Sequence, residues 1–591
     1  MKPVCTVGPA GDLSITAGPF TIASGYPGID GLPLRPLAVE VGADGRSAQW
    51  RLADGSSLHL AVTTTAVGVD LRMSLSGFAT APGRVALFSD ALLGGAKRCF
   101  HMAHGIGGGT GWEELPPAKP REGHVVGAFT ADGGATLTLV TGDCRRFAAK
   151  LHWRSGVGGT RLDWTYDTEG IPLSEGRLDL PVLSIAMGTD SWSAVRAAVD
   201  RVAVDAGVRL LPRQQVWCSW YHGYHHFTRA DLDEVLAGLV AMPDRGGFTT
   251  IQIDAGYSAS VGDWLEPNAL WPLGLEEAFA AIRRAGFEPG IWIGPYMAGS
   301  RSRVATTHPE WLLRHSDGRL MTQMRCYGEI RLWSYRDEEY HVLDTSHPGA
   351  FAYLRTVFAT LVRWGATYVK SDFLYWGLQN SAEVRRTVPG KTSVEYMRDL
   401  LTMIRQELGR DRYWLGCIAP YAPTLGLVDG TRIAGDVGPV WAPGHGPVSL
   451  LAESAGTQVV NGSWFHNDPD AVLVRDFHTE LTPVEVRSLA LWQGMLAGNL
   501  CTSDPLHRCA ADRLALWRFL SSRGPAAAAV IPGFGGPPRP MLVAVRDLPD
   551  GRKALLALNA GESPVLDSLP LAEVAGCAEA LVRTWGPEGA G

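Results

Sequence analysis

The chain has 591 residues, 46% of them hydrophobic and 19% charged, with a formal net charge of -7. That length is too great for one hydrophobic core, so two to four domains are expected. The acidic balance gives no electrostatic reason to bind nucleic acid or an anionic membrane, and no run of about 18 apolar residues offers a membrane span.

Nine scattered cysteines, with no Cys-x-x-Cys among them, fit reduced thiols better than a disulfide framework. The N-terminus, MKPVCTVGPAGDLSITAG, lacks an apolar signal core. Together these predict a cytoplasmic protein. Most of the 20 tryptophans must pack in cores, though the residue also stacks on sugar rings.

Residues 1 to about 205 show short alternating runs, such as Ser57-Leu58-His59-Leu60-Ala61-Val62 and Ala135-Thr136-Leu137-Thr138-Leu139-Val140, broken by Gly and Asp-Gly turns. Such runs predict a β-sandwich. The glycine-rich stretch His104–Trp112 lacks the strand-loop-helix context of a phosphate site and reads as a loop overhanging a neighbouring site. A helical pattern, SWSAVRAAVDRVA from Ser191, bridges to the next domain.

From Val216 to about Asp504 strand-like runs alternate with capped helices. Eight strands are predicted: Val216–Tyr221, Thr249–Tyr257, Pro289–Tyr296, His341–His347, Tyr368–Tyr375, Tyr413–Pro420, Gly430–Val437 and Val459–Phe465. Helix signals stand between them, including caps at Thr228 and Ser393, stops at Gly286, Gly365 and Gly409, and the capping box Thr482-Pro483-Val484-Glu485. Eight such alternations favour a closed (β/α)8 barrel over an open doubly wound sheet. Past Pro505, the runs Ala527–Ile531, Met541–Val545 and Ala554–Leu558 predict a small C-terminal β-sandwich. The predicted fold is therefore multidomain: a large N-terminal β-sandwich over 1–205, a TIM barrel over 206–505 and a small β-sandwich over 506–591.

Acidic residues at the C-terminal ends of the barrel strands are the chemical candidates, because that is where a barrel gathers its functional groups. They are Asp254, Asp344, Asp372, Asp436, Asp468 and Asp470. Lys370 and Asp372 share one face of their strand, and a carboxylate beside a fixed cation stays ionised, as a nucleophile must. Asp436, between Gly435 and Gly438, suits the proton-donating role if the charge of Asp372 keeps it protonated. Asp468 and Asp470 flank a proline and read more readily as turn formers. Asp344 supports the nucleophile, contacts sugar, or caps a helix. His222, His225 and His226 form an HxxHH cluster with no fourth ligand, so no metal and no cofactor are expected.

The stretches VWCSWY, IQIDAGY, VGDWLEPN, PGIWIGPY, HPEWLL, YVKSDF, GTRIAGDV and HNDPD resemble, in order, the α-galactosidase clan of glycoside hydrolases, families 27 and 36. The large N-terminal β region makes the resemblance closer to family 36. It implies an exo-acting retaining α-glycosidase taking a terminal α-galactoside, with Asp372 as nucleophile and Asp436 as general acid/base. By the same resemblance Lys370, Arg432 and Asp254 hold sugar hydroxyls, Trp264 walls the pocket, and Trp217 or Trp220 lines its floor; Cys417 and Asp344 are counted with the substrate-binding candidates. Homo-oligomers are frequent among proteins of this build. Two departures stand out. Asp254-Ala255-Gly256-Tyr257 replaces the clan's Asp-Asp-Gly-Trp, and Cys417-Ile418-Ala419-Pro420 replaces a Cys-x-Gly-Gly-Gly stretch. The first removes a hydroxyl-binding carboxylate and so bears on sugar choice.

Overall fold

A computed structural model describes residues 2–328, 333, 337–442, 446–521, 528–548, 551–570, 574, 585–586 and 589–590. The alternating runs of the first 190 residues form two antiparallel sheets, of eight and ten strands. Their apolar faces meet in one core, where Phe88, Trp153 and Trp164 of one sheet pack with Leu58, Leu71 and Leu137 of the other. Ser57–Thr64 shows the half-buried alternation of a sheet with one wet face. Thr136–Thr141 is buried throughout, because the helix Ser191–Ala206 lies across its second face, with the Thr136 and Ser191 hydroxyls 2.8 Å apart. That helix bridges as expected: Trp464 Nε1 donates to Val199 O at 2.8 Å.

Eight short parallel strands follow, adjacent in space in chain order: β1 (Gln215–Cys218), β2 (Thr250–Ile253), β3 (Glu288–Ile293), β4 (Tyr368–Ser371), β5 (Tyr413–Gly416), β6 (Gly430–Arg432), β7 (His466–Asp468) and β8 (Leu500–Thr502). β8 pairs with β1, and the backbone N–H of Asn499 reaches Asn467 O at 3.0 Å, so the sheet nearly closes. The helices outside it include α1 (Arg229–Ala241), α2 (Gly274–Arg284), α3 (Pro348–Trp364), α4 (Ser393–Leu408), α5 (Pro447–Gly456), α6 (Pro483–Leu496) and α7 (Ala511–Ser521). Reciprocal capping boxes start α1 at Thr228/Asp231, α4 at Thr392/Glu395 and α6 at Thr482/Glu485. α3 stops at Gly365, whose φ of 104° favours glycine.

Two strand assignments need correction. His341–His347 is not in the barrel: Glu338–Val342 pairs antiparallel with Met297–Gly299 and Thr322–Cys326 in a separate sheet outside it. Val459–Phe465 is also not a strand. Thr457–Val460 is a 3-10 turn, and the strand starts at His466. The eighth strand is Leu500–Thr502, so Asp372 directly follows the fourth strand, Asp436 follows the sixth and Asp468 ends the seventh. Past 505, α7 adds Leu516, Trp517 and Leu520 to the barrel's core, and Leu542–Asp547 pairs with Lys553–Leu558. Ala527 lies outside the described residues. No helix among the described residues is long and apolar enough to cross a membrane.

Candidate active site

Lys370 and Trp292 are register partners on β4 and β3, so both point into the barrel. The lysine is only 8% exposed, and its Nζ donates to Asp254 Oδ2 at 3.0 Å. Burial alone would push its pKa down; the charge of Asp254 foremost, with that of Asp372 behind it, holds it well above the usual lysine range. The expected cation for Asp372 is therefore turned mainly toward Asp254, which the long side chain reaches across the barrel interior. Asp254 Oδ2 also accepts from Gln252 Nε2 at 2.7 Å and from the Cys218 thiol at 3.3 Å, while Oδ1 takes the Ala255 N–H at 2.9 Å.

Asp372 stands one residue past β4. Its own N–H still donates to Ile293 O on β3, at 2.9 Å, before Phe373 turns the chain with φ of 53°. Two donors fix the carboxylate: Trp292 Nε1 to Oδ2 at 3.0 Å and the Phe373 N–H to Oδ1 at 2.8 Å. Trp264, 1% exposed, packs edge-on against Trp292 with ring centroids 5.7 Å apart, and so backs the indole that holds the carboxylate.

Asp436 lies four residues beyond β6 and its side chain is 71% exposed. Arg432, itself 3% exposed, donates from Nη2 to Asp436 Oδ1 at 3.2 Å and lies 3.1 Å from Asp470 Oδ2. The buried thiol of Cys417 joins the two halves of the site. Burial first, and then the charge of Asp372 with that of Asp436 behind it, push its pKa well above the usual thiol range, against Arg432 and Lys370. The Cys417 sulfur lies 3.9 Å from Arg432 Nη1. One buried carboxylate held by an indole and a backbone N–H, and one exposed carboxyl on an arginine, make a pair suited to displacement and proton transfer.

Other candidates fall elsewhere. Asp344 follows the outlying sheet, and its carboxylate takes the Ser346 hydroxyl at 2.7 Å and the Thr387 hydroxyl at 2.9 Å, with Arg386 at 3.7 Å. Those contacts tie down a loop. Trp217 is fully buried with its Nε1 on Asp504 O at 3.0 Å, which makes it core. Trp220 is partly buried, and with Lys370, Arg432, Asp468 and Asp470 it lines a small interior cavity under the mouth. The ring of His222 packs edge-on to Trp217 at 5.6 Å, and those of His225 and His226 lie 4.0 Å apart; among the described residues no three ligand-type side chains gather for a metal. The loop from His104 does overhang the barrel: the N–H of Tyr421 donates to His104 O at 2.8 Å, and His104 Nδ1 is bonded to the Tyr375 hydroxyl. Trp292 and Gln252 had no role expected from sequence. The signal available was parity, since both share the inward face of their strands with Lys370 and Asp254.

Comparison with known proteins finds α-galactosidases. The family model described as Melibiase matches residues 226–404. An α-galactosidase of Escherichia coli is 28% identical over 149 residues, 25% of this chain and 19% of that protein. α-Galactosidase AgaA of Geobacillus stearothermophilus is 24% identical over 162 residues, 26% and 20% of the two chains. Among solved structures, TtGalA, an α-galactosidase from Thermus thermophilus in complex with stachyose, superposes with a TM-score of 0.59 at 24% identity, covering 80% of this chain and 99% of that one. The chain is α-galactosidase-like. AgaA, whose structure is described as a GH36 α-galactosidase, superposes with a TM-score of 0.58 at 14% identity over 90% of this chain and 77% of that one. The chain matches about a fifth of the length of the curated relatives in sequence, while its fold follows the two α-galactosidase structures over most of its length.

Proposed function

We propose that this chain is an exo-acting, retaining α-galactosidase. The observation that carries the reading is the buried Asp372 carboxylate, held by Trp292 and the Phe373 N–H, with Asp436 on Arg432 across the Cys417 thiol. In the first step an Asp372 oxygen bonds to the anomeric carbon as the glycosidic C–O bond breaks, and Asp436 gives its proton to the departing oxygen. In the second, Asp436 takes a proton from water, the water oxygen bonds to the anomeric carbon, and the Asp372 ester breaks with configuration retained. Lys370 and Asp254 hold hydroxyls on the far side of the ring. Neighbouring structures in complex with stachyose and with p-nitrophenyl α-D-galactopyranoside support this substrate class. A division into domains near residues 205 and 505 and a cytoplasmic location belong to the same proposal.

Ala255 favours a second sugar. It is 3% exposed, and a methyl group there replaces a carboxylate that would bind a hydroxyl, which suits a ring lacking the hydroxymethyl group, such as β-L-arabinopyranose. A panel of p-nitrophenyl glycosides decides between them. Release from the α-galactoside, lost in Asp372→Asn, supports the first reading; release from the arabinopyranoside alone supports the second. Silence across the panel refutes both.

A further inference from the structure

The peptide that follows Asp436 is held by a carboxylate that no step of the mechanism uses. Asp470, two residues past β7, has a φ of 72°. A non-glycine residue held there is strained and persists only where its surroundings fix it. Its Oδ2 accepts from the Val437 N–H at 2.8 Å and from the Tyr221 hydroxyl, and lies 3.1 Å from Arg432 Nη2. The Tyr221 oxygen also accepts from the Val437 N–H, at 3.1 Å. Asp470 is itself tied down, its N–H donating to Asp468 Oδ1 at 2.8 Å. One carboxylate thus fixes both the guanidinium facing Asp436 and the peptide that follows it.

Asp436 itself is exposed and flanked by Gly435 and Gly438, so its own segment has little stiffness.

We propose that Asp470 is a positioning residue that grips Arg432 and the peptide after Asp436 and returns the Asp436 carboxyl to one place in both chemical steps. The assignment rests on Asp436 being the acid/base. It predicts damage confined to proton transfer. A 2,4-dinitrophenyl galactoside departs without a proton, whereas raffinose needs one. In Asp470→Asn, kcat/KM for raffinose should fall about a hundredfold, the lower end of what general acid catalysis contributes. The value for the dinitrophenyl substrate should fall less than about fivefold, and azide, which needs no general base, should raise its kcat. Tyr221→Phe, which removes one hydroxyl, carries the test if Asp470→Asn does not fold. Equal losses on both substrates, or none on either, would overturn the assignment while the galactosidase reading stands. Wild-type protein that cleaves neither substrate would overturn both.

Discussion

Asp468→Asn measures the cost of a buried charge at the floor of the site. Asp468 is 4% exposed on β7. Burial, helped by Asp470, pushes its pKa up to about 6, against the pull of Arg432, the Asp470 N–H and Lys370. In the unfolded chain the value is about 3.9. The folded protein therefore holds this proton more tightly than the unfolded chain does. The cost of ionisation is absent below about pH 4, grows between pH 4 and 6, and is complete above that. Two pH units at about 1.4 kcal/mol each give about 3 kcal/mol. Asparagine cannot ionise, yet its Oδ1 can still accept from the Asp470 N–H. The stability of Asp468→Asn relative to wild type should thus rise by about 3 kcal/mol from about pH 4 to about pH 7.5. Urea unfolding followed by tryptophan fluorescence at the two pH values measures the change, provided the slopes of the two proteins match. A stability difference that stays constant to within about 1 kcal/mol would refute the reasoning, because Asp468 would then titrate alike in both states.

Asp372→Asn should lower turnover of an α-galactoside by about a thousandfold or more with the circular dichroism spectrum unchanged; near-normal turnover would remove Asp372 from the chemistry. Lys370→Met leaves Asp254 buried without its cation and should destabilise by about 3–5 kcal/mol, read as a lower melting temperature with a raised KM. Trp217→Phe removes the donor to Asp504 O and should cost about 1–3 kcal/mol of stability with KM unchanged; a large KM change would return Trp217 to the sugar pocket.

The barrel was legible where strands alternate with capped helices, since Thr228, Thr482 and Gly365 punctuate the chain by local chemistry alone. It was illegible where apolar runs mislead. Val459–Phe465 reads as a strand because it is apolar and β-branched, but Val459, Val460 and Phe465 are buried against the helix Ser191–Ala206. Leu500–Thr502, three residues long, is too short to show a period. Asp372 and Asp436 were singled out through motif order, whereas their partners were not, because a partner is a matter of distance. Lys370 stands two residues from Asp372 yet donates to Asp254, which is 116 residues away. Asp470 read as a turn former, and its left-handed φ agrees with that, but its side chain holds Arg432 and Val437.

The seating of the N-terminal glycine-rich loop on the barrel also sets an order of assembly. A side chain on Gly105 would collide with Ala419 O, and one on Gly456 would collide with Thr110 O. The two surfaces fit only because both glycines are bare. A chain made from its N-terminus can finish the two antiparallel sheets hundreds of residues before the seat for that loop exists. The rim of the mouth therefore acquires its final outline only after α5 has been synthesised, and a bulky residue at position 456 would damage a part of the protein translated long before it.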